Sequence, residues 1–181
     1  HYSGVRPLEL AIEIKNKNKT VWDYDVMKQL NEVDNFLKKE YHAGFMYSPA
    51  MLCKNINKAL NDETSGEGKF PTLEEYEDVK KQLINNKKNK DLKRIITIDG
   101  KFARVSGKMT DVGSIIVNEQ NKKFQEFLNT HINSNDIEIK ITGAAHLMDR
   151  NNEYMVSNMA QGFVFSIIII IILTYFLHKS W

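Results

Sequence analysis

Five histidines, one cysteine and a few paired acids are the side chains of this 181-residue chain that could do chemistry. The histidines are His1, His42, His131, His146 and His178. None shares a metal-ligand spacing such as H-E-x-x-H, which sets two imidazoles on one helix face beside a general base. Gly66 and Gly68 sit among charges without the Gly-Lys-Ser/Thr that completes a phosphate loop. Glu74 and Glu75 fall at a helix start, where carboxylates are solvated or directed at the helix dipole. Cys53 lies among apolar residues of a predicted helix and reads as an inert core thiol. Being alone, it also excludes an intrachain disulfide and a thiolate-rich zinc site. His146 could titrate, but its place beside the closing apolar run reads as structural or interfacial. The expectation is therefore a protein that is not an enzyme, with no catalytic, cofactor-binding or metal-binding residue. A formal net charge of +2 is too small to argue for nucleic acid.

The elements that would position any function are organised around the last stretch. Phe163 to Leu177 contains six consecutive isoleucines and no charge, and His178-Lys179-Ser180-Trp181 closes it with basic and aromatic residues. Such residues gather at a membrane-water boundary. The strictly apolar part would rise only about 22 Å as a helix. Extending it back to Met155 gives about 34 Å, enough for a hydrocarbon core roughly 30 Å thick. Its Ile, Leu, Phe and Val side chains favour insertion by roughly 4 to 7 kcal/mol, from which Asn158 and Gln161 subtract. A buried strand is the competing reading of a short apolar run. Length and the closing residues favour a membrane helix. The absence of Asp, Glu, Lys and Arg from the run argues against an ion-coupling site inside it.

Upstream, Leu8, Leu10, Ile12 and Ile14 alternate with polar neighbours between Arg6 and Lys15, the period of a strand covered on one side. After a turn at Asn16 to Lys19, Asp23 and Asp25 open a helix with Val26, Met27, Leu30, Val33, Leu37 and Tyr41 on one stripe. His42 to Tyr47 predicts a short strand. Ser48-Pro49 starts a helix whose buried face is expected to be Met51, Leu52, Ile56, Ala59 and Leu60. Asn61 to Phe70 is a loop. Thr72 and Glu75 match a capping box before Leu73, Tyr76, Val79 and Leu83, and Lys87 to Lys90 ends that helix. Ile95 to Ile98, Asp99-Gly100 and Lys101 to Met109 predict a hairpin on a type I′ turn. Ser114 is expected to cap a helix carrying Ile116, Val117, Phe124, Phe127 and Leu128. Ile137, Ile139 and Ile141 form a strand ending at Gly143, and Asp149 is expected to start the helix that enters the membrane.

The predicted fold is α+β: a ferredoxin-like split β-α-β sandwich with a helical insert, followed by one transmembrane helix. Residues 1–47 form the first β-α-β half, 48–94 the insert, 95–148 the second half, and 149–181 the membrane helix with its lead-in.

Several stretches resemble one family. Gly4-Val5-Arg6-Pro7-Leu8-Glu9 is one, and Tyr47-Ser48-Pro49 with Lys54 to Leu60 is another. Ala103-Arg104-Val105-Ser106 with Asp111-Val112-Gly113-Ser114 is a third. The most telling is Ile141-Thr142-Gly143 followed, after a spacer, by Asn152-Glu153-Tyr154 and the hydrophobic helix. In this order they are similar to the periplasmic segment of resistance-nodulation-division (RND) exporters of the MMPL or hydrophobe/amphiphile type. The resemblance implies the second porter subdomain and second membrane helix of a larger protein in a bacterial inner (cytoplasmic) membrane, with the soluble part on the periplasmic side. Lys179, beyond the helix, leans the same way by the positive-inside rule.

Drug-exporting members carry a long docking hairpin where this chain, from about Ser48 to Lys90, reads as helices. That departure points to lipid- or hydrophobe-exporting relatives rather than to a tripartite outer-membrane assembly. The implied activity is proton-driven export of a hydrophobic or amphiphilic substrate. The implied partners are the lipid bilayer and the remaining membrane helices and porter subdomains, with no cofactor. The family's proton-relay acids lie in a later helix, so none is carried over. The alternative is a C-terminally anchored extracytoplasmic binding or adaptor domain without transport activity.

Overall fold

A computed structural model describes residues 5–61, 66, 68–85 and 90–178. The first strand, β1 (Val5–Ile14), lies inside a four-stranded sheet. Leu8, Leu10, Ile12 and Ile14 are buried, as their period of two requires. On one side β1 pairs antiparallel with β3 (Phe102–Thr110), from Val5 opposite Thr110 to Glu13 opposite Phe102. On the other it pairs antiparallel with β4 (Ile137–Thr142), from Glu9 opposite Thr142 to Ile14 opposite Ile137. The short β2 (Met46–Tyr47) pairs antiparallel with the far edge of β3, giving the order β2-β3-β1-β4.

The two halves of the chain interleave. Helix α1 (Tyr24–Glu40) connects β1 to β2, which lies beyond β3. Helix α5 (Ser114–His131) connects β3 to β4, which lies beyond β1. Val26, Met27, Leu30, Val33 and Leu37 of α1 and Val117, Phe124 and Leu128 of α5 join the inner side chains of the sheet in one core. Phe36 stacks on Phe127 at 4.5 Å between ring centroids, and the Tyr41 hydroxyl donates to Asn121 Oδ1 at 2.8 Å. On the opposite sheet face Arg104 pairs with Glu9 at 2.7 Å.

The segment between β2 and β3 is helical, as expected. Ser48 caps α2 (Pro49–Leu60), accepting the Met51 N–H at 3.0 Å. Thr72 and Glu75 form the expected capping box at α3 (Leu73–Asn85): Thr72 N–H donates to Glu75 Oε2 at 2.8 Å, and Glu75 N–H to Thr72 Oγ1 at 3.4 Å. Tyr76, Val79 and Leu83 are buried, but Leu73 is exposed. The buried face of α2 differs from expectation: it is Pro49, Ala50, Cys53 and Asn57, whereas Ala59 and Leu60 are exposed and Met51, Leu52 and Ile56 half-buried. Asn57 belongs to that face because its amide donates to the Lys69 carbonyl at 3.2 Å, which ties the following loop back to the helix.

Four local expectations are corrected. His42 to Tyr47 is a strand only at Met46–Tyr47, because His42 takes a left-handed φ of 48° and the N–H groups of Tyr41 and Ala43 turn back onto the Leu37 carbonyl. Ile95 to Ile98 is not a strand; a single bridge joins Ile96 to Ala103. The cause is the short α4 (Lys90–Lys93), whose Leu92 carbonyl accepts both the Ile95 and Ile96 N–H groups, at 3.0 and 2.9 Å. The following turn has Ile98-Asp99 at its centre, with Gly100 N–H on the Thr97 carbonyl at 2.9 Å. Positive φ occurs at Gly100 and not at Asp99, which excludes type I′. Gly113, at φ 83°, is the N-cap of α5 in place of Ser114, and Ile116 is exposed.

Finally, α6 (Ala144–His178) starts ahead of Asp149, with one residue, Gly143, between it and the end of β4 at Thr142. Gly143 takes a left-handed φ of 94°, which glycine adopts without a Cβ penalty, and no proline follows it in the chain. Lys87 to Asn89 and Lys179 to Trp181 lie outside the described residues. The chain divides into two compact units, 1–143 and 144–181. The second is α6, whose 35 residues make a rod of about 52 Å. Its most apolar window has a mean hydropathy of 2.3, and it is the one helix among the described residues long and apolar enough to cross a bilayer.

Candidate functional site

The chemistry-bearing residues picked out by sequence are dispersed. Cys53 is buried, and burial pushes its thiol up to about 12, so it is un-ionised at neutral pH. Glu75 is occupied by its capping box, and the hydrogen bonds from Thr72 hold its carboxyl below the usual range. His131 stacks on Phe127 at 4.6 Å and shares a 2.7 Å hydrogen bond with Thr130 Oγ1. His146 lies in the first turns of α6. Among the described residues no three His, Cys, Asp or Glu side chains are grouped to hold a metal ion.

Two buried carboxylates stand out, and they differ in how completely they are satisfied. Asp136, just before β4, accepts from Asn16 Nδ2 at 2.7 Å, Lys19 Nζ at 2.8 Å and Asn133 Nδ2 at 3.0 Å. Lys19 and Asn16 hold its carboxyl below the ordinary range. Lys101 Nζ donates to the carbonyls of Asn16 and Lys17, both at 3.0 Å, so this cluster fastens the turn after β1 to β3 and β4. Its groups satisfy one another, and it is structural.

Asp34 is different. It sits on the apolar stripe of α1, 2% exposed, four residues from Leu30. Its Oδ2 accepts a hydrogen bond from the Ser48 hydroxyl, while Oδ1 is buried without a hydrogen-bond partner. Burial raises the carboxyl to about 6, against the hydrogen bond from Ser48 and the charges of Lys54 and Lys38, which lower it. Asp34 lines a cleft of about 230 Å³ with Lys38 of α1, Phe45 and Met46 at β2, and Met51 and Lys54 of α2. Lys54 Nζ reaches Asn35 Oδ1 at 3.4 Å, and Lys58, also on this cleft, donates to the Gly66 carbonyl at 2.7 Å. The described lining thus includes the Asp34 carboxylate, Asn55, three lysines and an apolar part to which the exposed Phe45 belongs.

Sequence reasoning passed over Asp34. The signal was there: an acid at a position where Met27, Leu30, Leu37 and Tyr41 define the buried stripe. Acids are almost never fully buried unless paired, so an acid on such a stripe marks a specific partner or a site. Ser48, read only as a cap, is that partner.

No protein-family model, curated protein or solved structure matches this chain.

Proposed function

We propose that this chain is the second porter subdomain and second membrane helix of a proton-driven RND exporter, of the type that handles lipids or other amphiphiles. The observation that carries the reading is the interleaved order β2-β3-β1-β4 joined, through Gly143 alone, to the long apolar helix α6. Crossing helices α1 and α5 with that order suit the ferredoxin-like split β-α-β sandwich of a porter subdomain. The helical segment between β2 and β3 favours the amphiphile-handling branch over one that docks an outer-membrane partner. In this reading α6 spans the inner membrane, the sheet domain stands on its periplasmic side, and the proton-relay acids lie in helices outside this sequence.

Gly143 gives the reading a mechanical element. A strand that passes through one residue into a continuous helix transmits displacement of the membrane helix to the porter domain. A complete structure in which this helix stays fixed between transport states would count against that role.

The open reading frame that encodes the chain tests the proposal. The expected result is a product with about ten further hydrophobic segments and a second porter-type half, the organisation the resemblance implies. A frame that starts near His1 and stops after Trp181 would replace it with the anchored adaptor reading.

A further inference from the structure

Two exposed tyrosines fix where α6 would sit in a bilayer, an inference that rests on the reading of this helix as membrane-spanning. Tyr154 and Tyr175 are 60% and 57% exposed, and no Asp, Glu, Lys or Arg lies between them. Nor does another Tyr or Trp. Along the helix axis they stand about 31 Å apart, at about 1.5 Å per residue. A hydrocarbon core is roughly 30 Å thick, and tyrosine gathers at both of its boundaries. The strictly apolar run from Phe163 to Leu177, at about 22 Å, is too short by itself.

This register gives Arg150 a defined depth. It lies one turn before Tyr154, about 6 Å further along the axis. The headgroup layer on each side of the core is roughly 5–7 Å thick, so the guanidinium stands at the level of the lipid phosphates. Arg150 is exposed; its Nη2 donates to the Tyr154 hydroxyl at 3.4 Å, and its Cζ lies 5.8 Å from the ring centroid. Glu153 is at i,i+3 spacing, yet the guanidinium is turned to Tyr154. A guanidinium carries its N–H donors in a planar fork, and the tyrosine occupies only one of them. The others suit the paired oxygens of a phosphodiester.

We propose that Tyr154 and Tyr175 seat α6 with one ring at each boundary of the hydrocarbon, and that Arg150, resting on Tyr154, binds the phosphodiester of a phospholipid in the adjoining leaflet.

Single cysteines in a Cys53→Ala background, with the 181-residue chain in phosphatidylcholine nanodiscs, read the register through a membrane-impermeant maleimide. Asn151→Cys should react readily. Asn158→Cys, Gln161→Cys and Ile169→Cys should react at least about tenfold more slowly, because a thiolate does not form in hydrocarbon. Labelling of Asn158→Cys and Gln161→Cys at the Asn151→Cys rate, with Ile169→Cys protected, overturns the register and leaves the spanning reading intact. Rapid labelling of Ile169→Cys as well overturns both.

The phosphate contact is read by carbon–phosphorus dipolar dephasing in phosphatidylcholine bilayers, with the chain labelled at arginine Cζ. The other arginines, Arg6, Arg94 and Arg104, all precede α6. Dephasing by lipid phosphorus is expected in the native chain and should be lost in Arg150→Lys. Tyr154→Leu, which removes the rest for the guanidinium, should weaken it, whereas Glu153→Gln should leave it in place. No dephasing, dephasing that persists in Arg150→Lys, or dephasing undiminished in Tyr154→Leu overturns the contact.

Discussion

The Ser48 hydroxyl donates to Asp34 Oδ2 and accepts the Met51 N–H at 3.0 Å, so one side chain joins α1 to the first turn of α2. It satisfies an orphan donor at a helix start and half of a buried carboxylate. Ser48→Ala removes both at once. The expected loss is about 3 kcal/mol, roughly 1 from the cap and the rest from the carboxylate left without a donor. Urea unfolding followed by Trp22 fluorescence, in a Trp181→Phe background, measures it. A loss no greater than that of an ordinary cap would show that the Asp34 contact is not formed.

Asp34 also gives stability a pH dependence of defined sign. Its carboxyl is raised from 3.8 to about 6 by burial, so between those values the folded chain binds its proton more tightly than the unfolded one. Stability contributed by the protonated form is then lost as pH rises from about 4 to about 6, and the slope vanishes above that window. Asp34→Asn lacks this term. Relative to that variant, the native chain should lose about 3 kcal/mol between pH 4 and pH 7. Paired urea titrations at several pH values test this; a difference that grows in favour of the native chain with rising pH would reverse the account.

Gly143 is held at φ 94°, a conformation L side chains rarely adopt, and a Cβ there would lie 3.0 Å from Glu9 Oε2 and 3.1 Å from Glu9 Cβ. Gly143→Ala should therefore cost about 1–3 kcal/mol through backbone strain, whatever the flexible Glu9 does. Combining it with Glu9→Ala should recover little of that loss. Recovery of most of it would place the cause in the contact instead.

Cys53 should be inert while the chain is folded. Its thiol is buried and pushed up to about 12, so a water-soluble maleimide should react only on unfolding. Labelling followed by mass spectrometry, with and without denaturant, reads this directly. Rapid labelling of the folded chain would contradict the placement of α2.

Much of the fold was legible because periodicity reports burial. The alternation of Leu8, Leu10, Ile12 and Ile14, the stripe of α1 and the Thr72–Glu75 box each fix local structure from neighbours in sequence. The failures arose where a distant or competing partner decides. Ile95 and Ile96 have strand propensity, but their N–H groups are taken by Leu92, a contact no alternation pattern encodes. Asp99-Gly100 has the composition of a type I′ turn, yet Thr97 Oγ1 and Lys101 N–H both engage Asp99 Oδ1 and fix a different one. The Asp34 cleft was missed for the same reason. Asp34 was one residue on a helical stripe until the fold brought Ser48, Lys54 and Phe45 around it.

The function we propose for the complete protein is proton-driven export of amphiphiles. Reconstitution of the complete gene product in proteoliposomes, with an amphiphilic fluorescent lipid inside and an imposed proton gradient, tests it most directly. The account predicts gradient-dependent release of the lipid that a protonophore abolishes. Release at the same rate without a gradient, or none with one, would contradict it.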